Sequence, residues 1–213
     1  MSDRMRLILG IVFFGSVWGG MEALAIRVME SLNSPFKSPF LIAMGIFVLG
    51  TARIIFPRQG STFFMGLVAA GFKFLSLPNI LFCQIAAVAI QGLVLEGVFS
   101  YVQKRKLSNW LPLSWLVVLA VYLNNVFFVL SQIYVVPNPF WMGKGSSGIL
   151  TFIFLEGSAA AVLGIIFLNL GFALGKAISP AFERWQVDKA RTLRIAFLAA
   201  SLGFWLLGFV FYR

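Results

Sequence analysis

Seven nearly uncharged apolar runs limit what this chain can fold into. A helix needs about 20 mostly apolar residues to cross the hydrocarbon of a bilayer. Candidate spans of about that length fall at residues 7–29, 38–57, 62–77, 79–103, 110–136, 148–176 and 194–212. The third is the shortest and reads as a short or tilted helix. The breaks carry turn chemistry: Asn33-Ser34-Pro35, Pro57-Arg58-Gln59-Gly60, Leu77-Pro78-Asn79, Pro137-Asn138-Pro139 and Ser179-Pro180. With 60% hydrophobic and 11% charged residues, the chain has more apolar surface than a water-soluble fold of this size can hide. The expected architecture is an all-α polytopic transmembrane bundle of about six to seven spans. It forms a single integral membrane domain over residues 1–213.

Charge sets the orientation. Short cytoplasmic loops collect Lys and Arg. Arg4, Arg6, Arg53, Arg58, Lys104, Arg105, Lys106, Lys176, Arg184, Lys189, Arg191 and Arg194 all fall on one side of the seven-span division. Lys37, Lys73, Lys144 and Arg213 fall on the other, with Arg27 near the outer end of the first span. This asymmetry predicts a multi-pass protein of the inner (cell) membrane, with its N-terminus cytoplasmic. It also supports the short third span, because omitting that span breaks the alternation. The net charge of +10 therefore reflects topology, and no nucleic-acid partner is expected. The first run lacks a small-residue cleavage site and carries Glu22, so it reads as a retained span and not a signal peptide.

Polar groups inside hydrocarbon are costly and are functional candidates by default. Glu22, Glu96 and Glu156 are the clearest. Helical rise places Glu22 and Glu156 roughly 10–12 Å inward from the outer ends of their spans, whereas Glu96 lies near the cytoplasmic end. Gln84 and Gln91 are seven apart, hence on one helical face, and so are Asn125 and Gln132. Facing one another, these stripes would form a polar pocket reached from outside; separately, they would act as packing glue between helices. A cationic partner for a glutamate could be Arg27 or Lys73 near the outer side, or Arg53 near the inner side. Lys73 could also snorkel to the surface.

The longest outer connection, residues 137–147, contains Phe140 and Trp141, which read either as an interfacial anchor or as part of a lid. Gly15, Gly19 and Ala23 repeat every four residues along the first span. Such a strip serves either internal packing or docking to a separate membrane subunit. Cys83 is either a small hydrophobe or a soft metal ligand.

The chain has no His and one Cys, which excludes His-based sites and an intrachain disulfide within it. There is no phosphate-binding loop and no recognisable acid–base set. The chain reads as a non-enzyme needing no cofactor.

In the small-residue first helix, the segment Arg58-Gln-Gly-Ser-Thr-Phe-Phe-Met-Gly-Leu-Val-Ala-Ala-Gly-Phe-Lys73 and the region Leu95-Glu-Gly97, the chain resembles the S components of energy-coupling factor transporters. These are small membrane subunits that capture vitamins. The resemblance covers roughly residues 7–176. It implies six helices, an external pocket beneath outer loops, and a first helix that meets a membrane coupling subunit powered by separate ATPases. On this resemblance the substrate would enter from outside and lodge near Glu22, Gln84, Gln91, Asn125, Gln132, Trp141 and Glu156. Gly15, Gly19 and Ala23 would face the coupling subunit. Some members bind cobalamin through a cysteine near the outer mouth, which makes a corrinoid a specific candidate and Cys83 its cobalt ligand. The absence of His argues against the nickel and cobalt ion branch. The span 194–212 departs from the six-helix pattern. The alternatives are a membrane scaffold or assembly subunit and a small intramembrane enzyme acting on lipid.

Overall fold

In a computed structural model the described residues are 3–34, 36–76, 82–106, 110–188 and 190–212. They form α1 (Asp3–Ser31), α2 (Lys37–Ile55), α3 (Ser61–Ser76), α4 (Phe82–Arg105), α5 (Trp110–Leu130), α6 (Pro139–Gly143), α7 (Gly145–Leu150), α8 (Gly157–Asp188) and α9 (Ala190–Tyr212). Two π-helical stretches, Ser131–Val135 and Thr151–Glu156, extend α5 and lead into α8. No strand occurs among the described residues.

Local chemistry fixes several helix ends. Asn33 (φ 47°) turns the chain out of α1 in a left-handed conformation that Asn tolerates. Gly60 (φ 84°) sits just before α3, where Ser61 Oγ donates to Arg58 O at 2.7 Å. Asn138 caps α6 by accepting from Phe140 N at 3.0 Å, with Pro139 next to it. One expected break is absent. Ser179-Pro180 lies inside α8, which runs on to Asp188. Proline removes the bond to the carbonyl of residue 176, but Lys176 is exposed and that carbonyl can be hydrated beyond the hydrocarbon.

Five helical segments are long and apolar enough to cross a membrane: Arg4–Ser31, Lys37–Ile55, Phe82–Arg105, Leu113–Val135 and Gly145–Pro180. Shorter apolar stretches lie at Ser61–Leu75 and Ile195–Leu206. The polarity is inverted relative to a water-soluble fold. Leu24, Phe64, Phe74, Leu93, Trp115 and Leu119 are exposed, while Glu22, Arg53, Lys73, Gln91, Asn125 and Gln132 are buried. This arrangement suits a lipid exterior, where apolar side chains are well solvated and polar ones are not.

α2 occupies the centre and packs most extensively on α8. Thr51 Oγ1 donates to Phe47 O on its own helix and to Gly171 O on α8, at 2.9 and 3.1 Å. α3 and α4 cross backbone to backbone at Gly66 and Gly92, where a Cβ on either would lie about 3.0 Å or less from the other's Cα. α9 lies along α1 and α3, and Trp205 Nε1 donates to Ser16 Oγ at 2.9 Å.

The small-residue strip of α1 is consumed by this packing. A Cβ on Gly15 would lie 2.6 Å from Val68 Cβ, and one on Gly19 would lie 2.7 Å from Phe72 Cβ. Ala23 is fully buried against Phe72. Gly15, Gly19 and Ala23 thus face α3 of the same chain. This corrects the expectation that they form an open docking face.

Candidate functional site: a polar cavity among six helices

A cavity of about 670 Å³ opens at the end of the bundle where α2 begins and α6 and α7 cross over. α1 contributes Glu22, α2 Lys37 and Ser38, α3 Lys73, and α4 Cys83, Gln84 and Gln91. α5 contributes Asn124, Asn125 and Phe128, α6 Phe140 and Trp141, and the second π stretch Phe152 and Glu156. Asn138 and Lys144 complete the rim.

Of the residues expected around a pocket, Glu22, Gln84, Gln91, Asn125, Trp141 and Glu156 line this cavity. Gln132 does not. It is fully buried, its Nε2 donates to Ser131 Oγ at 3.0 Å, and its Oε1 has no partner. Seven-residue spacing puts Gln132 on the Asn125 face, but its side chain is packed over at the end of α5, where the π stretch Ser131–Val135 begins and the Gln132 carbonyl accepts from Asn138 N at 2.9 Å. The connection at residues 77–79 lies outside the described residues, as do Lys189 and Arg213 from the charge tally.

The glutamates take different partners. Lys73 Nζ lies 3.1 Å from Glu22 Oε1, deep in the wall. Lys73 is 2% exposed, so of the two readings open for it, partner of a glutamate or surface cation, the structure shows the first. Its stem leads inward because the buried carboxylate supplies the counter-charge. Glu156 sits under the influence of the Lys144 ammonium and the Ser38 hydroxyl. Glu96 belongs to the opposite end. Arg53 Nη1 donates to both of its carboxylate oxygens at 3.3 Å, and Thr62 N donates to Oε2 at 3.0 Å. This cluster joins α2, α3 and α4 on the side expected to be cytoplasmic, away from the cavity.

Trp141 turns inward. It is 7% exposed and packs edge-on against Phe128 and Phe152, at ring separations of 5.0 and 4.7 Å. A membrane-interface anchor requires the opposite orientation, and Phe140, 66% exposed, is the outward-facing member of the pair. Lys144 Nζ lies over both rings, 4.7 Å from that of Trp141 and 5.1 Å from that of Phe140. Cys83 is buried in the same aromatic cluster, with Phe128, Val129, Trp141 and Phe152. Among the described residues no group of three or more His, Cys, Asp or Glu could hold a metal ion.

Sequence reasoning missed Asn124, Lys144 and the two phenylalanines of the roof. Asn124 had a signal, since it is a second amide beside Asn125 at the same depth. The phenylalanines had none, because the chain has 24.

Four side chains in or beside the site keep an atom without a hydrogen-bond partner. They are Glu22 Oε2, the amides of Asn124 and Asn125, and Gln132 Oε1. No family model, curated protein or solved structure matches the chain. The site's meaning therefore rests on its own geometry.

Proposed function

We propose that this chain is a substrate-capture subunit of a membrane uptake system, working as the S components of energy-coupling factor transporters do. It would take a small vitamin-like molecule from the outer side. Inward release would need a tilt of the bundle or a coupling subunit with its ATPases. The observation that carries this reading is the cavity itself. Polar side chains from α1, α3, α4 and α5, scattered through a chain with few of them, converge on one hollow of about 670 Å³. That volume lies in the usual range of small-molecule sites, roughly 300–1,000 Å³. Packing glue alone requires each polar group to satisfy another, and several here do not. The Gly15–Gly19–Ala23 strip, which the scaffold alternative needed and which the capture reading assigned to a coupling subunit, is covered by α3.

The test is to purify the protein in mild detergent and identify co-purifying small molecules by mass spectrometry. A stoichiometric vitamin-like compound supports capture. A stoichiometric protein partner with no small molecule supports the scaffold, and a lipid turned over supports the enzyme. For a corrinoid the residue at stake is Cys83, which lines the cavity. Identical corrinoid absorption spectra with wild type and Cys83→Ser would remove the cobalt–sulfur bond from the reading.

A further inference from the structure

The orphaned atoms describe what the cavity lacks. Asn124 and Asn125 are consecutive on α5, 5% and 1% exposed, and both line the cavity. Asn124 Nδ2 approaches Asn125 Oδ1 at 3.5 Å. That leaves Asn124 Oδ1 and Asn125 Nδ2 without partners. Turning both amides over exchanges the roles of the two residues. In either orientation the pair offers one free acceptor and one free donor. Glu22 adds a second acceptor, because Lys73 holds Oε1 and Oε2 is unpartnered. Buried polar groups without partners cost free energy. A partner that enters and leaves accounts for their being kept.

The charges of the wall point the other way. Lys73 pairs with Glu22, Lys37 pairs with Glu30, and Lys144 acts on Glu156. Two of the three lysines of the wall thus sit in ion pairs, and the third, Lys144, lies over the Phe140 and Trp141 rings within electrostatic reach of Glu156. A ligand with a net charge would bring an uncompensated ion into a site of low dielectric. The aromatic roof of Phe128, Trp141 and Phe152, with Cys83 beside it, suits a flat ring.

We infer that the ligand, if the capture reading holds, is an uncharged ring-bearing molecule with an amide-type edge. A carboxamide, lactam or ureide places N–H and C=O side by side. It would pair with the free acceptor and donor of Asn124 and Asn125, while its ring packs beneath Trp141.

The test uses the full chain in nanodiscs and four matched probes: 2-naphthaleneacetamide, its N,N-dimethylamide, 2-naphthaleneacetate and 2-(2-naphthyl)ethylammonium. Affinity is read by tryptophan quenching. The primary amide should bind about tenfold tighter than each of the others, the factor that roughly one net hydrogen bond supplies. In Asn124→Leu/Asn125→Leu this preference should vanish. The double variant removes both orphaned amides together, so it should melt no lower than wild type. A melting point that falls while the amide preference persists would make the pair structural and overturn the inference. Tightest binding by the acetate or the ammonium would also overturn it, leaving capture intact. If no probe binds, the co-purifying molecule decides. A net charge on it overturns the inference alone, an uncharged amide-edged compound supports it, and no such molecule removes capture as well.

Discussion

Lys73 on α3 and Glu22 on α1 form an ion pair at 3.1 Å with side chains 2% and 5% exposed, inside a helical bundle with an apolar exterior. Removing one partner leaves the other charge buried and uncompensated. Lys73→Met should therefore destabilise the protein by about 3–5 kcal/mol. Replacing both, as Glu22→Leu/Lys73→Met, should restore most of that loss, since an apolar pair of similar volume is often as stable as the ion pair. Thermal unfolding in detergent checks both. A single variant as stable as wild type would mean that the pair is solvated or neutral.

The Arg53 cluster supports a different expectation. Arg53 Nη1 donates to Arg58 O at 2.8 Å and Nη2 donates to Gln103 Oε1 at 2.8 Å, while Glu96 also accepts from Ser100 and Thr62 N. Glu96→Ala strips the guanidinium of its counter-charge and should cost about 3–5 kcal/mol. Arg53→Lys loses the fork geometry and should also destabilise, by about 1–2 kcal/mol. Neither residue lines the cavity, so ligand affinity of the folded fraction should be unchanged. Unfolding and binding measured on the same preparations separate these effects.

Gly45 sets the position of Gln91. Gln91 Nε2 donates to Ile42 O at 2.7 Å across the bare face of Gly45. A Cβ there would lie 2.4 Å from Nε2 and 2.9 Å from Trp18 Cζ2. Gly45→Ala should push the amide aside and break that bond, at about 1–3 kcal/mol for overpacking. Because Gln91 is in the cavity wall, ligand affinity should fall together with stability. Unaltered affinity by equilibrium binding would take Gln91 off the site.

Glu156 closes the second π stretch and lines the cavity together with Lys144 and Ser38. Glu156→Ala should weaken ligand binding by about tenfold without loss of membrane insertion, the loss expected for one charge-assisted hydrogen bond. It is half-buried at the cavity and not in the main core, so the melting point should move little. Unchanged affinity would strike Glu156 from the site.

What the sequence made legible follows from which signals act locally. Apolar runs and turn residues act through the backbone, so helices near 7–29, 38–57 and 79–103 were readable. Depth within a span is also local. Glu22, Gln91, Asn125 and Glu156 were therefore assignable to the outer half of the bundle before any contact was known. Contacts between helices were not readable. The strip Gly15–Gly19–Ala23 marks a close approach but not its partner, which is Phe72 and Val68 of α3. Lys73 and Arg27 were both possible partners for a buried glutamate, and nothing in either helix reveals that Lys73 is the one opposite Glu22. Gln132 shares a helical face with Asn125 by spacing, but spacing does not show that neighbouring residues cover its side chain. Ser179-Pro180 reads as a break, yet the helix persists because water can serve the carbonyl that proline leaves free.

Orientation decides whether the cavity can take anything from outside, and it is testable with the chain's single cysteine removed. Cys83 is buried, so Cys83→Ser supplies a quiet background for added thiols. Ser31 and Ser147 are exposed at the cavity end of the bundle, and Lys104 is exposed at the Arg53 end. The excess of Lys and Arg around Arg58 and Lys104–Lys106 predicts that this end is the cytoplasmic one. A membrane-impermeant maleimide applied to intact spheroplasts should label Ser31→Cys and Ser147→Cys, and should reach Lys104→Cys only after lysis. The reverse pattern would turn the cavity mouth toward the cytoplasm, where Lys37 and Lys144 at its rim would meet internal solutes, and capture from outside would have no entrance.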